Sequence, residues 1–89
     1  MITRSLIRQV AGTADHPRET RTKRLAATLS ERELEVAVAI GRGGSNAEIA
    51  GELFMSQATV KAHISKIFTK LDITNRVQVA ITMHDAGLL

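Results

Sequence analysis

Eighty-nine residues with no cysteine, carrying 12 Lys or Arg against 9 Asp or Glu for a net charge of +3, fit one small domain. Such a chain buries only about two-thirds of its unfolded surface, too little to enclose a large catalytic cleft, and it can form neither disulfides nor thiolate metal sites. It has no apolar run of about 18 residues that could cross a membrane, and Arg4 and Arg8 break the first apolar stretch, so neither a span nor a signal peptide is expected and the cytoplasm is the expected location.

Along the chain, residues 2–10 can form a short helix, whereas 12–22 (G-T-A-D-H-P-R-E-T-R-T) are polar, hold the single proline and show no period, the mark of a linker. The expected organisation is a linker over 1–28, with a short N-terminal helix, and a folded domain over 29–89. Six basic residues against Asp15 and Glu19 give residues 1–28 a net charge of +4, and the remainder holds six basic against seven acidic, a net of −1. The domain's charge is therefore a matter of placement, with Glu31, Glu33 and Glu35 crowded at one helix and Lys61, Lys66 and Lys70 at another.

Helix signals become dense from Leu29. Ser30 with Glu33 forms a capping box that opens a helix over 31–42, which Gly43 and Gly44 stop; Ser45 with Glu48 opens a second over 46–53. Ser56 caps a third over 57–71 and Thr74 a fourth over 75–86, with Gly87 as a left-handed terminator. No strand pattern competes, so the expected fold is an all-α four-helix bundle preceded by a flexible linker. Its core is expected from Leu34, Val38 and Ile40 or Ala37, from Ile49, Ala50 and Leu53, and from Val60, Ile64, Ile67 and Leu71 at helical spacing, with Phe54 and Phe68 at the edges.

The second and third helices have the pattern of a helix-turn-helix: Ala50 is small where the two must cross, Ser56 is a polar cap, and Val60 is a β-branched anchor. Off the Val60 stripe lie three lysines, and no acidic residue falls between Gln57 and Leu71. A helix pinned by one face and cationic on the other suits a phosphate-lined major groove of double-stranded DNA, although an ordinary packed pair with a solvated lysine face fits the same spacing. The outward positions are Gln57, Ala58, Lys61, Ala62, Ser65, Lys66 and Thr69. Of these, Ala58, Lys61, Ala62 and Ser65 are placed to read bases: the lysine can donate to guanine, Ala62 can touch a thymine methyl, and Ser65 can bond several bases. Phosphates are expected at Ser56, Gln57, Thr59, Lys66 and Lys70, and at the N-terminus of the second helix near Ser45 and Asn46, where backbone donors favour anions.

The motifs L-S-E-R-E-L-E-V (29–36), G-x-S-N-x-E-I-A (43–50), S-x-x-T-V-K-x-H-x-x-K-I (56–67), K-L (70–71) and R-x-Q (76–78), ending in G-L-L, together resemble the LuxR/FixJ family of bacterial helix-turn-helix transcription factors. Upstream, I-T-R-S-L-I-R-Q-V is similar to the linker helix that follows the receiver domain in NarL-type response regulators. The resemblance implies sequence-specific DNA binding for transcription regulation, as the effector part of a two-component regulator, with the receiver domain and RNA polymerase as further partners. It places His63 beside the DNA face, where packing against the second helix is the alternative. It also favours Val77, Ile81 and His84 as the seam of a homodimer formed through the last helix, which otherwise carries two apolar stripes, the other being Val79, Met83 and Ala86. Where the family usually has a larger apolar residue, a leucine and an alanine, this chain has Ala37, Gly44 and Val79, so local repacking is expected there.

Other classes fare worse. His16, His63 and His84 are scattered with no carboxylate spaced beside them, and there is no Gly-rich phosphate loop, so neither an enzyme nor a cofactor or metal is expected. With two Phe and no Trp or Tyr there is no platform for stacking single-stranded bases. The remaining rival is a protein-interaction bundle that uses the acidic helix or the last helix.

Overall fold

A computed structural model gives the fold of residues 17–89, and the short helix expected over 2–10 lies outside the described residues. Five helices follow one another: α1 (Pro17–Ala26), α2 (Glu31–Gly41), α3 (Asn46–Leu53), α4 (Gln57–Leu71) and α5 (Arg76–Asp85). The last four are the four expected. The first is a correction, because the sequence placed residues 12–22 in a linker and the chain is helical from Pro17. Proline suits a first helical position, where the N–H it lacks would have no partner, and Lys23 and Arg24 in the last turn complement the helix dipole. The inward side of α1 is made by Thr22 and Ala26, with Leu25 partly covered. Threonine and alanine leave no apolar period to read, although α1 packs against α5 and α4.

Each later helix starts on a satisfied cap. Ser30 Oγ accepts from the Glu33 N–H at 3.2 Å while Glu33 Oε1 accepts from the Ser30 N–H at 2.9 Å, and Ser45 and Glu48 repeat this at 3.1 and 2.9 Å. Ser56 Oγ accepts from the Thr59 N–H at 3.1 Å. At α5 the cap is Asn75 rather than Thr74: Asn75 Oδ1 accepts from the Gln78 N–H at 2.9 Å. Gln78 Oε1 in turn accepts from the Thr74 N–H at 2.8 Å, so threonine is drawn into the cap one residue early.

The turns differ in how they reverse the chain. Gly43 (φ +92°) ends α2, and Gly44 then lies so close to α3 that a Cβ there would meet Ala39 O and Ile49 Cγ1 at 3.2 Å each. The leucine usual in the family would need these neighbours to give by a few tenths of an ångström. α3 and α4 instead end on left-handed non-glycine residues, Phe54 and Asp72, both at φ 56°. That conformation costs an L residue about 1–2 kcal/mol, which aspartate tolerates better than phenylalanine.

Val36, Ala37, Ala39 and Ile40 from α2, Ile49 and Ala50 from α3, Val60, Ile64, Ile67 and Leu71 from α4, and Val79 and Met83 from α5 form one buried cluster with Ala26, Leu29 and Ala86. The α4 stripe is as expected. On α2 the inward face is rotated, with Leu34 and Val38 at the cluster's edge and Val36 and Ile40 at its centre. Ala37 and Val79 are both fully buried, a small residue on α2 and a larger one on α5 within one core. Phe68 sits at the edge as expected. Phe54 does not: it is 92% exposed, because the left-handed turn carries its side chain out of the inward row of α3.

Candidate nucleic-acid interface

The outward face of α4 follows from its inward one. With Val60, Ile64, Ile67 and Leu71 buried against α2 and α3, the 3.6-residue period turns Gln57, Ala58, Lys61, Ala62, Ser65, Lys66 and Thr69 to solvent, and all seven are exposed. Among the described residues neither Lys61 nor Lys66 has a carboxylate partner, so both ammonium groups stand free on that face. Thr59 is exposed as well, its hydroxyl 2.9 Å from Ser56 Oγ, beside the four N–H groups that open α4.

Lys70 differs from the other two lysines. Its Nζ donates to Glu33 Oε1 at 2.7 Å, and Glu33 is only 4% exposed. The lysine bond and the Ser30 N–H hold the Glu33 carboxyl below its usual range against the opposing effect of burial. The expectation of Lys70 as a free phosphate ligand therefore gives way to an ion pair that ties the last turn of α4 to the first turn of α2. A shallow groove of about 230 Å³ runs beside it between Ser65, Lys66, Thr69 and Lys70.

At the start of α3, Ser45 is exposed and Asn46 partly covered. The Ser45–Glu48 reciprocity keeps the Glu48 carboxyl ionised below its usual range through bonds from the Ser45 N–H and hydroxyl. Asn46 Oδ1 accepts from Arg76 Nη1 at 2.6 Å, and Arg76 Nη2 donates to Gly44 O at 2.7 Å. Sequence reasoning gave Arg76 no role beyond its motif. No local signal shows that a cation at the start of α5 will bond residues 30 and 32 positions earlier. His63 is half-buried, with its Nδ1 enclosed and without a hydrogen-bond partner among the described residues.

α5 resolves the choice between its two stripes. Val79, Met83 and Ala86 are buried in the monomer, whereas Val77, Ile81 and His84 are exposed and continue one uncovered row.

Two packed helices with Ala50 buried on the first, a left-handed turn between them, and a capped second helix with a buried stripe and a cationic outer face define a helix-turn-helix of the type used by DNA-binding regulators. The model of bacterial regulatory proteins of the luxR family matches residues 27–83, and the chain belongs to that family, whose members regulate transcription by binding DNA. It is similar to the transcriptional regulatory protein LiaR of Bacillus subtilis, 46% identical over 57 residues, 64% of this chain and 27% of that one. The response regulator protein VraR of Staphylococcus aureus is 39% identical over 61 residues, 68% of this chain and 29% of its own. The transcriptional regulatory protein LnrK of B. subtilis is 47% identical over 53 residues, 60% of this chain and 24% of that one. The chain thus spans about a quarter of the length of the curated relatives it matches. No helix among the described residues is long and apolar enough to cross a membrane.

Proposed function

We propose that this chain is the DNA-reading effector part of a two-component response regulator, working on the bacterial chromosome in the cytoplasm with α4 seated in the major groove. The observation that carries this reading is the outer face of α4, where two free lysines and five small or polar side chains stand above a buried stripe. Lys61 reads a guanine edge, flanked by Ala58, Ala62 and Ser65, and so few base-reading groups leave much of the affinity to backbone contacts. Those contacts are made by Ser56, Gln57, Thr59 and Lys66 on one strand and by the start of α3 at Ser45 and Asn46 on the other. His63 backs this face, and Lys70, held by Glu33, fixes the far end of α4.

The exposed row Val77, Ile81 and His84 pairs two copies across a two-fold axis, so the preferred target is an inverted repeat. The seam is short, and DNA or a receiver domain drives the pairing.

Titrating a mixed-sequence duplex at increasing salt tests the DNA reading, with a steep linear fall of log affinity against log salt expected. A nearly flat line or no binding at low salt would refute it. Sequences selected from a random duplex pool should form an inverted repeat. Lys61→Ala should then lose about 1–3 kcal/mol of preference at one or two base positions, leaving the others unchanged.

A further inference from the structure

We propose that Arg76, the first residue of α5, is a positioning residue for the DNA contact: its guanidinium fork turns the Asn46 side chain so that the amide nitrogen, and not the oxygen, faces a backbone phosphate. The inference rests on the DNA reading above and adds what aims the start of α3 at the duplex.

Nothing in α5 itself accounts for Arg76. A cation at the first position of a helix opposes the helix dipole, and the first turn of α5 holds no acidic residue to offset it. Among the described residues Arg76 has no carboxylate partner either. Instead Nη1 donates to Asn46 Oδ1 at 2.6 Å and Nη2 to Gly44 O at 2.7 Å, both partly buried. The two arms of the fork thus close on the residues either side of the Ser45 cap.

Arginine only donates, so the oxygen of the Asn46 carboxamide is the atom it holds, and the two amide hydrogens are left free. Among the described residues nothing accepts from that nitrogen. Without the fork the last torsion of asparagine is broad and roughly two-fold, and the oxygen, which a phosphate repels, would face outward as often as the nitrogen. The backbone beside it is open in the same sense. The capping box takes the N–H groups of Ser45 and Glu48, which leaves those of Asn46 and Ala47 without an acceptor inside the helix. Gly44 O, held by Arg76, and the Ser45 N–H, held by Glu48, belong to one peptide plane, so the entry to α3 is fixed at both ends. An amide N–H2 group and two backbone N–H groups suit a phosphate oxygen. The Glu48 carboxylate at the same helix end opposes an anion, and the unpaired guanidinium brings the offsetting charge.

The test uses the labelled 89-residue chain and the mixed-sequence duplex, with affinities measured across a salt series and melting temperatures taken in parallel. Asn46→Ala should weaken binding about tenfold through the loss of a charge-assisted bond, and leave the salt slope unchanged, because a neutral donor releases no counterion. Arg76→Lys keeps the charge but not the fork; it should weaken binding several-fold, with no further effect in the Asn46→Ala background. A purely structural role for Arg76 would lower affinity equally in both backgrounds. Asn46→Asp offers Arg76 a carboxylate and suits a helix start, so it should melt at or above the wild-type temperature yet bind the duplex at least as weakly as Asn46→Ala. The proposal is overturned if Asn46→Ala or Asn46→Asp binds as wild type does, if Arg76→Lys keeps wild-type affinity, which would make charge alone sufficient, or if the two losses multiply. Each of those results leaves the DNA reading standing, whereas a wild-type chain that does not bind the duplex removes both.

Discussion

At the scale of single residues, Glu33 is the side chain whose role changes most once its surroundings are known. In the sequence it is the third residue of a capping box; in the fold the same Oε1 also receives Lys70 and joins α2 to the end of α4. Its carboxyl is held below the ordinary range, so the ionised form is favoured by folding. The contribution is therefore complete above the unfolded-state pKa, about 4.3, and is lost as pH falls through the lower folded-state value. Glu33→Gln should cost about 1–3 kcal/mol at neutral pH, through the loss of a charge-assisted bond to a partly covered lysine. It should also flatten the acid limb of the stability curve, which denaturant melts between pH 3 and 7 would measure. An unchanged acid limb would mean that the pair is too solvated to matter. Lys70 illustrates why its role was not legible beforehand. A lysine in the last turn of a helix reads as a free cation unless the opposing helix is known to bring a carboxylate to it, 37 residues away in sequence.

At the scale of elements, the caps were readable because they are local. Ser30, Ser45 and Ser56 satisfy N–H groups three residues on, and the chain between donor and acceptor leaves little freedom. The missed element, α1, has the opposite character, since its helix is supported by packing on α5 and α4 through Thr22 and Ala26 and no apolar row announces it. The glycines before and within α3 separate in the same way. At Gly44 a Cβ would crowd Ile49 and the Ala39 carbonyl, whereas Gly51, exposed in α3, has open space where its Cβ would be. Gly51→Ala should therefore stabilise the domain by about 0.5–1 kcal/mol. A rise in melting temperature of several degrees would register it, about 4–8 °C per kcal/mol for a domain of this size. A fall would mean that α3 needs the flexibility to seat against α4.

For the molecule as a whole, the packing of α5 decides which surface is left for a second copy. Burying Val79 and Met83 under α2 leaves Val77 and Ile81 in water, 67% and 47% exposed. Ile81→Glu should leave monomer stability within about 0.5 kcal/mol of wild type, since nothing in the core is disturbed. It should abolish cooperative binding to an inverted repeat while a single half-site is bound as before, which gel-shift isotherms on the two duplexes would separate. Equal cooperativity in the variant would remove α5 as the seam. Arg76, at the head of the same helix, grips Gly44 and Asn46, so α5 and the start of α3 form one rigid corner.

The amino-acid order by itself determined the four later helices, the buried stripe of α4, the cationic outer face and the family motifs, because each depends on neighbours within about one or two turns. Only the tertiary structure decided that Lys70 is paired, that Phe54 stands in water, that Arg76 locks α3 to α5, that α1 is a helix, and which stripe of α5 is free. Phe54 follows from the left-handed turn that ends α3; the others depend on which surfaces meet across 20 or more residues, and periodicity marks an apolar face without naming what covers it.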